Sequence, residues 1–342
     1  MTNVRPVTIV GGGLAGLSLG IALRKAGVPA EIFEAGDLPR HRVCGEFITG
    51  LEDATIEKLG IGPALVGAGC HRKVTWHMRE TVVGCQVLPS PARAISRYVL
   101  DARLAEMFVA GGGKLTTRTR FRAEESEPGL VWACGRRASA SSPWLGLKLH
   151  ARNSATTDDL AFFLGEGAYV GLSAVEDGWQ NICGLFRRRP GLQFDREGAL
   201  PAYLRASGLP RLAESVAKAE IRPGSRSAIA GFTFDCSVTA DDGLSLGDAC
   251  ATIPPFTGNG MAMAFIGAAL ALEPLFAWAH GERSWEESTR SIRKAQQHEF
   301  RLRLASASIL HPFLLNRRLQ PCLGGALRAG VLPTTTLYRL LH

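Results

Sequence analysis

The chain has 342 residues, of which 46% are hydrophobic and 20% charged; this is the balance of a globular enzyme, and the length favours two domains. Its formal charge of +8 is not accompanied by aromatics interleaved among the basic residues or by a reading module, which excludes nucleic acid as the partner. Eight cysteines are scattered without a CxxC pair and without histidines at metal spacing, which excludes a zinc site and a disulfide framework, so no metal is expected.

The N-terminal segment does not read as a signal peptide, because three glycines interrupt it and no basic region precedes it. The apolar run over 261–272 is too short to span a bilayer. A cytoplasmic location is therefore expected.

An apolar β-branched strand at 7–10 breaks into Gly11-x-Gly13-x-x-Gly16 and then into a helix running through residue 25. This pattern points to a nucleotide pyrophosphate. Gly11 permits a tight turn, and Gly13 lets backbone N–H groups reach the phosphates. Gly16 lets the helix pack closely on the strand, and the helix N-terminus, with Leu14 and Ala15, faces the diphosphate. A second strand over 30–34 ends in Glu34, about twenty residues beyond the glycines and placed for a ribose hydroxyl.

A loop rich in charge and glycine follows over 36–50, then a helix over 51–65, strands within 73–88, and a helix over 99–110 closed by Gly111-Gly112-Gly113. A buried strand is expected at 130–133. From 144 to 186 the period is closer to two, with strands at 161–164, 168–172 and 181–186, which reads as a sheet domain inserted into the nucleotide domain. A last short strand lies at 243–246, and helices fill the chain from Gly260 onward.

Leu246-Gly247-Asp248-Ala249, followed by Pro254-Pro255-Phe256-Thr257-Gly258-Asn259-Gly260-Met261, resembles the flavoprotein hydroxylase superfamily of para-hydroxybenzoate hydroxylase, geranylgeranyl reductase and the flavin-dependent halogenases. The resemblance implies FAD as cofactor. Asp248, beside Gly247, would bond the ribityl chain, and the backbone around Gly258, Gly260 and Met261 would stabilise negative charge on the reduced ring. Arg42-Val43-Cys44-Gly45-Glu46-Phe47 resembles the basic-x-Cys-Gly segment that passes beside the flavin in geranylgeranyl-reductase-like oxidoreductases, which implies Arg42 and Cys44 as cofactor residues. Ser96-Arg97-x-x-Leu100-Asp101-x-x-Leu104 resembles the helix start that brings an arginine, here Arg97, to FAD. Within the loop segment, His41 and Glu46 are the candidates for moving protons near the ring.

Two departures bear on the reaction. Where the hydroxylases carry an Asp-Gly pair after the third strand, this chain has Ala133-Cys134-Gly135-Arg136-Arg137; the missing acid weighs against the usual handling of NAD(P)H, which is otherwise the expected electron donor. The Trp-x-Trp-x-Ile-Pro signature of the halogenases is absent, which disfavours halogenation.

The expected architecture is α/β, a Rossmann-like FAD-binding domain with an inserted antiparallel β-sheet substrate domain and a helical C-terminal cap. FAD-binding parts are expected over 1–70, 96–135 and 238–280, substrate-sheet parts over 71–95 and 136–237, and the cap over 281–342. The expected activity is that of a single-component monooxygenase hydroxylating an aromatic or polyketide-like apolar substrate in secondary metabolism. The alternatives are an FAD-dependent reductase of carbon–carbon double bonds in an isoprenoid or polyketide chain and a non-catalytic lipid-binding flavoprotein fold. From Phe300 to His342 the chain has six arginines and no acid, interspersed with aliphatic clusters. This suits a cap over an apolar pocket or peripheral contact with an anionic membrane.

Overall fold

The computed structural model describes residues 4–122, 127–136, 139–154, 159–194, 198–234, 243–331 and 334–341. Arg137, Cys236 and His342 lie outside the described residues.

Five strands form an all-parallel sheet in the order Leu244–Ser245, Leu130–Trp132, Val7–Val10, Ala30–Phe33, Lys114–Thr116. Val7, Ile9 and Ile32 are fully buried, as strands covered on both faces must be. Helices Leu14–Lys25, Arg97–Ala110 and Asn259–Ala279 share this hydrophobic core. The glycine turn allows the first of them to start directly at the sheet. Gly11 has φ +118°, and a Cβ on Gly16 would lie 2.1 Å from the Gly11 carbonyl oxygen, so strand and helix could not approach this closely with any other residue there.

The second sheet runs in the order Glu220–Ile221, Trp144–Arg152, Gln180–Arg187, Ala168–Ala174, Leu160–Gly165, Gly69–Met78, Thr81–Ala94, Phe47–Ile48, with Ser227–Ala230 also paired to Trp144–Arg152. It is not purely antiparallel. Gly69–Met78 pairs parallel with Leu160–Gly165, from Val74 opposite Leu160 to Met78 opposite Leu164. These two strands belong to separate excursions of the chain, so no hairpin turn dictates their relative direction. The strands expected within 73–88 extend over 69–94. The helix expected over 51–65 stops at Leu59, because Gly60 takes a left-handed φ of 71° at the C-cap and a short 3-10 turn over Gly62–Leu65 follows.

Alternation along Trp144–Arg152 sorts its side chains between two environments. Leu147, Leu149 and Ala151 face a core shared with helices Ala199–Ala206 and Pro210–Lys218. Lys148 and His150 project to the opposite face, where both meet Glu46.

The C-terminal region is helical, as expected: Trp285–Leu315, Gln320–Arg328 and Thr334–Leu341. The first of these begins at a capping box between Ser284 and Glu287. Leu314 near its end packs with Leu164, Tyr169, Leu185 and Phe232 of the second sheet and its margin. Asn259–Ala279 is long and apolar enough to cross a membrane, but 61% of its most apolar window is buried in the protein, as befits a core helix.

Candidate active site

A cleft of about 700 Å³ opens beyond the carboxyl ends of the parallel strands, where Val10, Phe33, Trp132 and Leu246 line it. This is where open α/β sheets bind ligands. Ser227, Ala228 and Ile229 of the second sheet close the opposite wall.

Most of the residues singled out in the sequence meet here. Gly11, Gly13, Leu14 and Ala15 line the cleft at the glycine turn, and Gly247, Asp248, Gly258, Gly260 and Met261 line it at the late loop; Glu34, His41, Arg42, Cys44 and Arg97 complete the set. Gly16 and Glu46 do not line it: Gly16 is packed behind the turn, and Glu46 is fully buried behind the wall.

Gly13 caps the helix Leu14–Lys25, which has no acid in its first turn. A Cβ at Gly13 would meet no protein atom within 4 Å; the space in front of this helix N-terminus is open, as an anionic ligand requires. A second helix N-terminus, that of Asn259–Ala279, is reached through Gly258 at φ 70°. Among the described residues, Arg40, Arg42, Arg97, Arg120 and Arg136 line the cleft against two acids, Glu34 and Asp248, so its field favours a polyanion. These features fit a dinucleotide such as FAD.

Glu34 already has local partners. Its carboxylate accepts from the Gly12 amide (2.9 Å), the Gly36 amide (2.9 Å) and Arg40 (3.2 Å). A carboxylate offers about four lone-pair directions, so about one remains for a ribose hydroxyl. Asp248 lies 3.9 Å from Arg136, whose guanidinium stacks 4.0 Å above Phe232. Desolvation raises the Asp248 pKa, opposed by Arg136 and Arg97. The position that lacks the expected acid thus places a cation beside Asp248.

Asp101 was not singled out as a site residue in the sequence, yet it anchors two of the cleft arginines. Fully buried, it binds Arg97 in a bidentate pair (2.8 and 2.9 Å) and takes Arg42 at 3.1 Å. The i,i+4 spacing of Arg97 and Asp101 was the available signal. Cys44 lines the cleft with its thiol pKa raised by burial, so it is protonated and inert as a nucleophile at neutral pH.

Behind the wall, Glu46 holds a left-handed backbone conformation at φ 58°. Its carboxylate accepts from Lys148 Nζ (2.8 Å), His150 Nε2 (2.6 Å) and the Arg97 amide (2.9 Å). All three side chains of this cluster are fully buried. Burial opposes the Glu46 charge, but the His150 hydrogen bond and Lys148 outweigh it, and the pKa falls below the ordinary carboxylate value. Lys148 also reaches His41 Nδ1 at 3.3 Å, and the His41 ring stacks on Tyr98 at 4.8 Å. With an ammonium donating to Nδ1, the His41 proton belongs on Nε2. Burial and Lys148 lower the His41 pKa to about 4.

His41, Glu46 and His150 bring ligand atoms within 4.8 Å of one another. Lys148 supplies the positive charge there, so the cluster is an ion pair with two histidines rather than an open cation site. Lys148 and His150 were missed in the sequence, where a Lys-x-His alternation inside an apolar strand was the only sign of a buried polar face.

Neither a protein-family model nor a curated protein sequence matches the chain. Solved structures do match it in shape. Klebsiella pneumoniae HpxO, solved with FAD and uric acid, superposes with a TM-score of 0.78 at 17% identity over 100% of this chain and 97% of that one. The flavin-dependent brominase Bmp2 gives 0.73 at 18% identity, covering 98% and 93%. The 2-methyl-3-hydroxypyridine-5-carboxylic acid oxygenase gives 0.71 at 15% identity, covering 98% and 96%. The fold is that of the FAD-binding monooxygenases.

Proposed function

We propose that the chain is an FAD-dependent oxidoreductase, a single-component monooxygenase that hydroxylates an aromatic or polyketide-like apolar substrate, with NAD(P)H as electron donor. The observation that carries this reading is the cleft itself. It sets two helix N-termini, five arginines and Asp248 around one open space beyond the parallel strands. The similar structures favour it over a double-bond reductase, since their names specify an oxygenase and a flavin-dependent brominase, and HpxO was solved with uric acid, a ring compound. The missing Trp-x-Trp-x-Ile-Pro signature weighs against halogenation.

FAD, when bound, supplies the redox chemistry and dioxygen activation. The residues of the chain bind and orient. The Leu14–Lys25 N-terminus with Arg42 and Arg97 would hold the pyrophosphate, Glu34 the ribose and Asp248 the ribityl chain. Phe33, Phe47, Phe121 and Trp132 line the cleft and exclude water. His41, neutral at physiological pH and protonated on Nε2, serves as a hydrogen-bond donor at the cleft. Glu46 acts by holding Lys148 and the start of the Arg97 helix in place.

A subsidiary proposal is peripheral membrane contact through the C-terminal helices. Leu302, Ile309 and Phe313 are exposed on Trp285–Leu315 at spacings that share one helix face. The reading as a whole is tested by releasing the flavin and identifying it by chromatography, then measuring NADPH oxidation with and without oxygen over phenolic and polyprenyl compounds. Release of FMN, or no flavin after reconstitution, overturns it.

A further inference from the structure

Among the described residues, His41 is the histidine that lines the cofactor cleft, and its ring is held from three directions. One face stacks on Tyr98, with centroids 4.8 Å apart and 23° between the planes, and the His150 ring meets it edge to face at 4.9 Å. Nδ1 lies 3.3 Å from Lys148 Nζ. The other ring nitrogen, Nε2, has no hydrogen-bond partner among the described residues, yet it is not a buried polar atom. With Nδ1 turned into the wall, Nε2 is the polar atom that His41 offers to the cleft.

A lysine ammonium has donors and no acceptor, so its contact with Nδ1 admits only an unprotonated Nδ1. Lys148 is fully buried and paired with Glu46 Oε1 at 2.8 Å, and Glu46 accepts in turn from His150 Nε2 at 2.6 Å. The loop that carries His41 is pinned to the same pair of strands. Asn181, the cross-strand partner of His150, donates through Nδ2 to the carbonyl oxygens of Cys44 (3.0 Å) and Gly45 (2.8 Å). An ion pair that served the fold alone would need Glu46 and no reach to a side chain of the cleft; Lys148 makes both contacts.

Titratable and charged groups face His41 from each element around it. Lys148 and His150 come from the strand Trp144–Arg152, Glu46 from its own loop, Tyr98 from the helix Arg97–Ala110, and Arg222 from the residue after the strand Glu220–Ile221. Burial, then Lys148 and His150, hold the His41 pKa down to about 4, with Glu46 opposing them. The ring is therefore neutral at physiological pH, and of its two neutral tautomers the contact with Lys148 leaves one.

We infer that Lys148 is a positioning residue that fixes His41 in its Nε2–H tautomer, and that His41 donates this N–H to an acceptor oxygen of the bound FAD. Lys148 acts through His41 and does not itself reach the ligand. The inference rests on the FAD reading for the identity of the acceptor, whereas the tautomer belongs to the chain and is measured with or without cofactor.

The test is nitrogen NMR of the purified protein labelled in its histidine rings, FAD content being determined on the same samples. The His41 signals are those lost in His41→Phe, which keeps a ring against Tyr98. In the parent, His41 shows a protonated Nε2 and a bare Nδ1 from neutral pH down to about pH 5. In Lys148→Met the two tautomers mix, and the midpoint of protonation rises from about 4 toward 6.5. Should Glu46 without its partner prevent folding, Lys148→Met/Glu46→Gln removes both charges and shows the same mixing. By equilibrium titration, FAD affinity falls about three- to tenfold in His41→Phe, the scale of one hydrogen bond. An equal fall for ADP puts the acceptor in the diphosphate half, and a fall for FAD alone puts it in the ribityl chain or the ring. The inference is overturned if His41 carries its proton on Nδ1 in the parent, if the single tautomer survives the loss of Lys148, or if His41→Phe binds FAD as the parent does. A protein that takes up no FAD removes the cofactor reading and the acceptor with it, while the spectra still decide whether Lys148 fixes His41.

Discussion

The two sheets build their sites from different materials. At the carboxyl ends of the parallel sheet the glycine turns and helix N-termini supply backbone groups, and side chains such as Glu34, Arg42, Arg97, Arg136 and Asp248 surround them. On the second sheet the groups are side chains brought together across long separations: Glu46 with Lys148 and His150, 102 and 104 residues apart, and His311 with Tyr169 and Trp144. A backbone site is tuned by what is missing, since any added atom fills it. A side-chain site is tuned by what is present, since any lost atom leaves a partner bare.

The contrast is tested most severely at Glu46. Glu46→Gln keeps the shape and removes the charge, leaving Lys148 buried without its counter-ion, and should cost about 3–5 kcal/mol, read from urea unfolding. Adding Lys148→Met should recover part of that loss; no recovery would mean that the pair is not the source. At the backbone site, Asp248→Ala should weaken FAD binding about ten- to a hundredfold, for a charge-assisted bond of about 1.5–3 kcal/mol. Unchanged affinity by equilibrium titration would contradict the ribityl assignment.

Gly13→Ala separates the two kinds of site most directly. Its Cβ would meet no protein atom, so stability should change by less than about 1 kcal/mol while FAD affinity falls clearly. Equal losses of melting temperature and affinity would show that the glycine serves the fold alone.

Acid should act mainly on the side-chain site. Folded-state pKa values of about 4 for His41 and His311, against 6.5, mean that the unfolded chain binds protons the native state does not. Their contribution is complete above about pH 6.5 and is lost as pH falls toward 4, and Glu46, also depressed, adds to the loss below its ordinary range. His311→Phe should flatten this slope in melting curves between pH 7.5 and 4.5; a slope identical to the parent's would remove His311 from the account. The smallest effect is expected from Arg317→Gln/Arg318→Gln. Stability should move by about 0.5 kcal/mol or less, while sedimentation with anionic phospholipid vesicles falls. Undiminished vesicle binding would end the membrane proposal.

How much was legible follows the same division. The glycine turn, Glu34, Asp248 and the late helix were readable because each is a short pattern whose geometry is set locally, and they converge on one cleft. Gly60 broke a helix that apolar spacing alone had carried to residue 65. The parallel pairing of Gly69–Met78 with Leu160–Gly165 was invisible, since alternation gives a strand's faces but not its neighbour. Lys148 and His150 were hidden, because a buried charge is recognisable only once its partner is located, whereas Asp101 stood four residues from Arg97 in the quoted motif.

The Arg97 amide, which donates to Glu46, marks the joint between the two halves. To part them, the carboxylate must give up an ammonium, an imidazole and this N–H together, with nothing at hand to replace them. Opening of the joint should therefore be rare: hydrogen exchange at the Arg97 amide is expected to be about as slow as in the strand Val7–Val10. Slow exchange there would mean that ligands enter and leave around the rim of the cleft rather than by a parting of the two sheets.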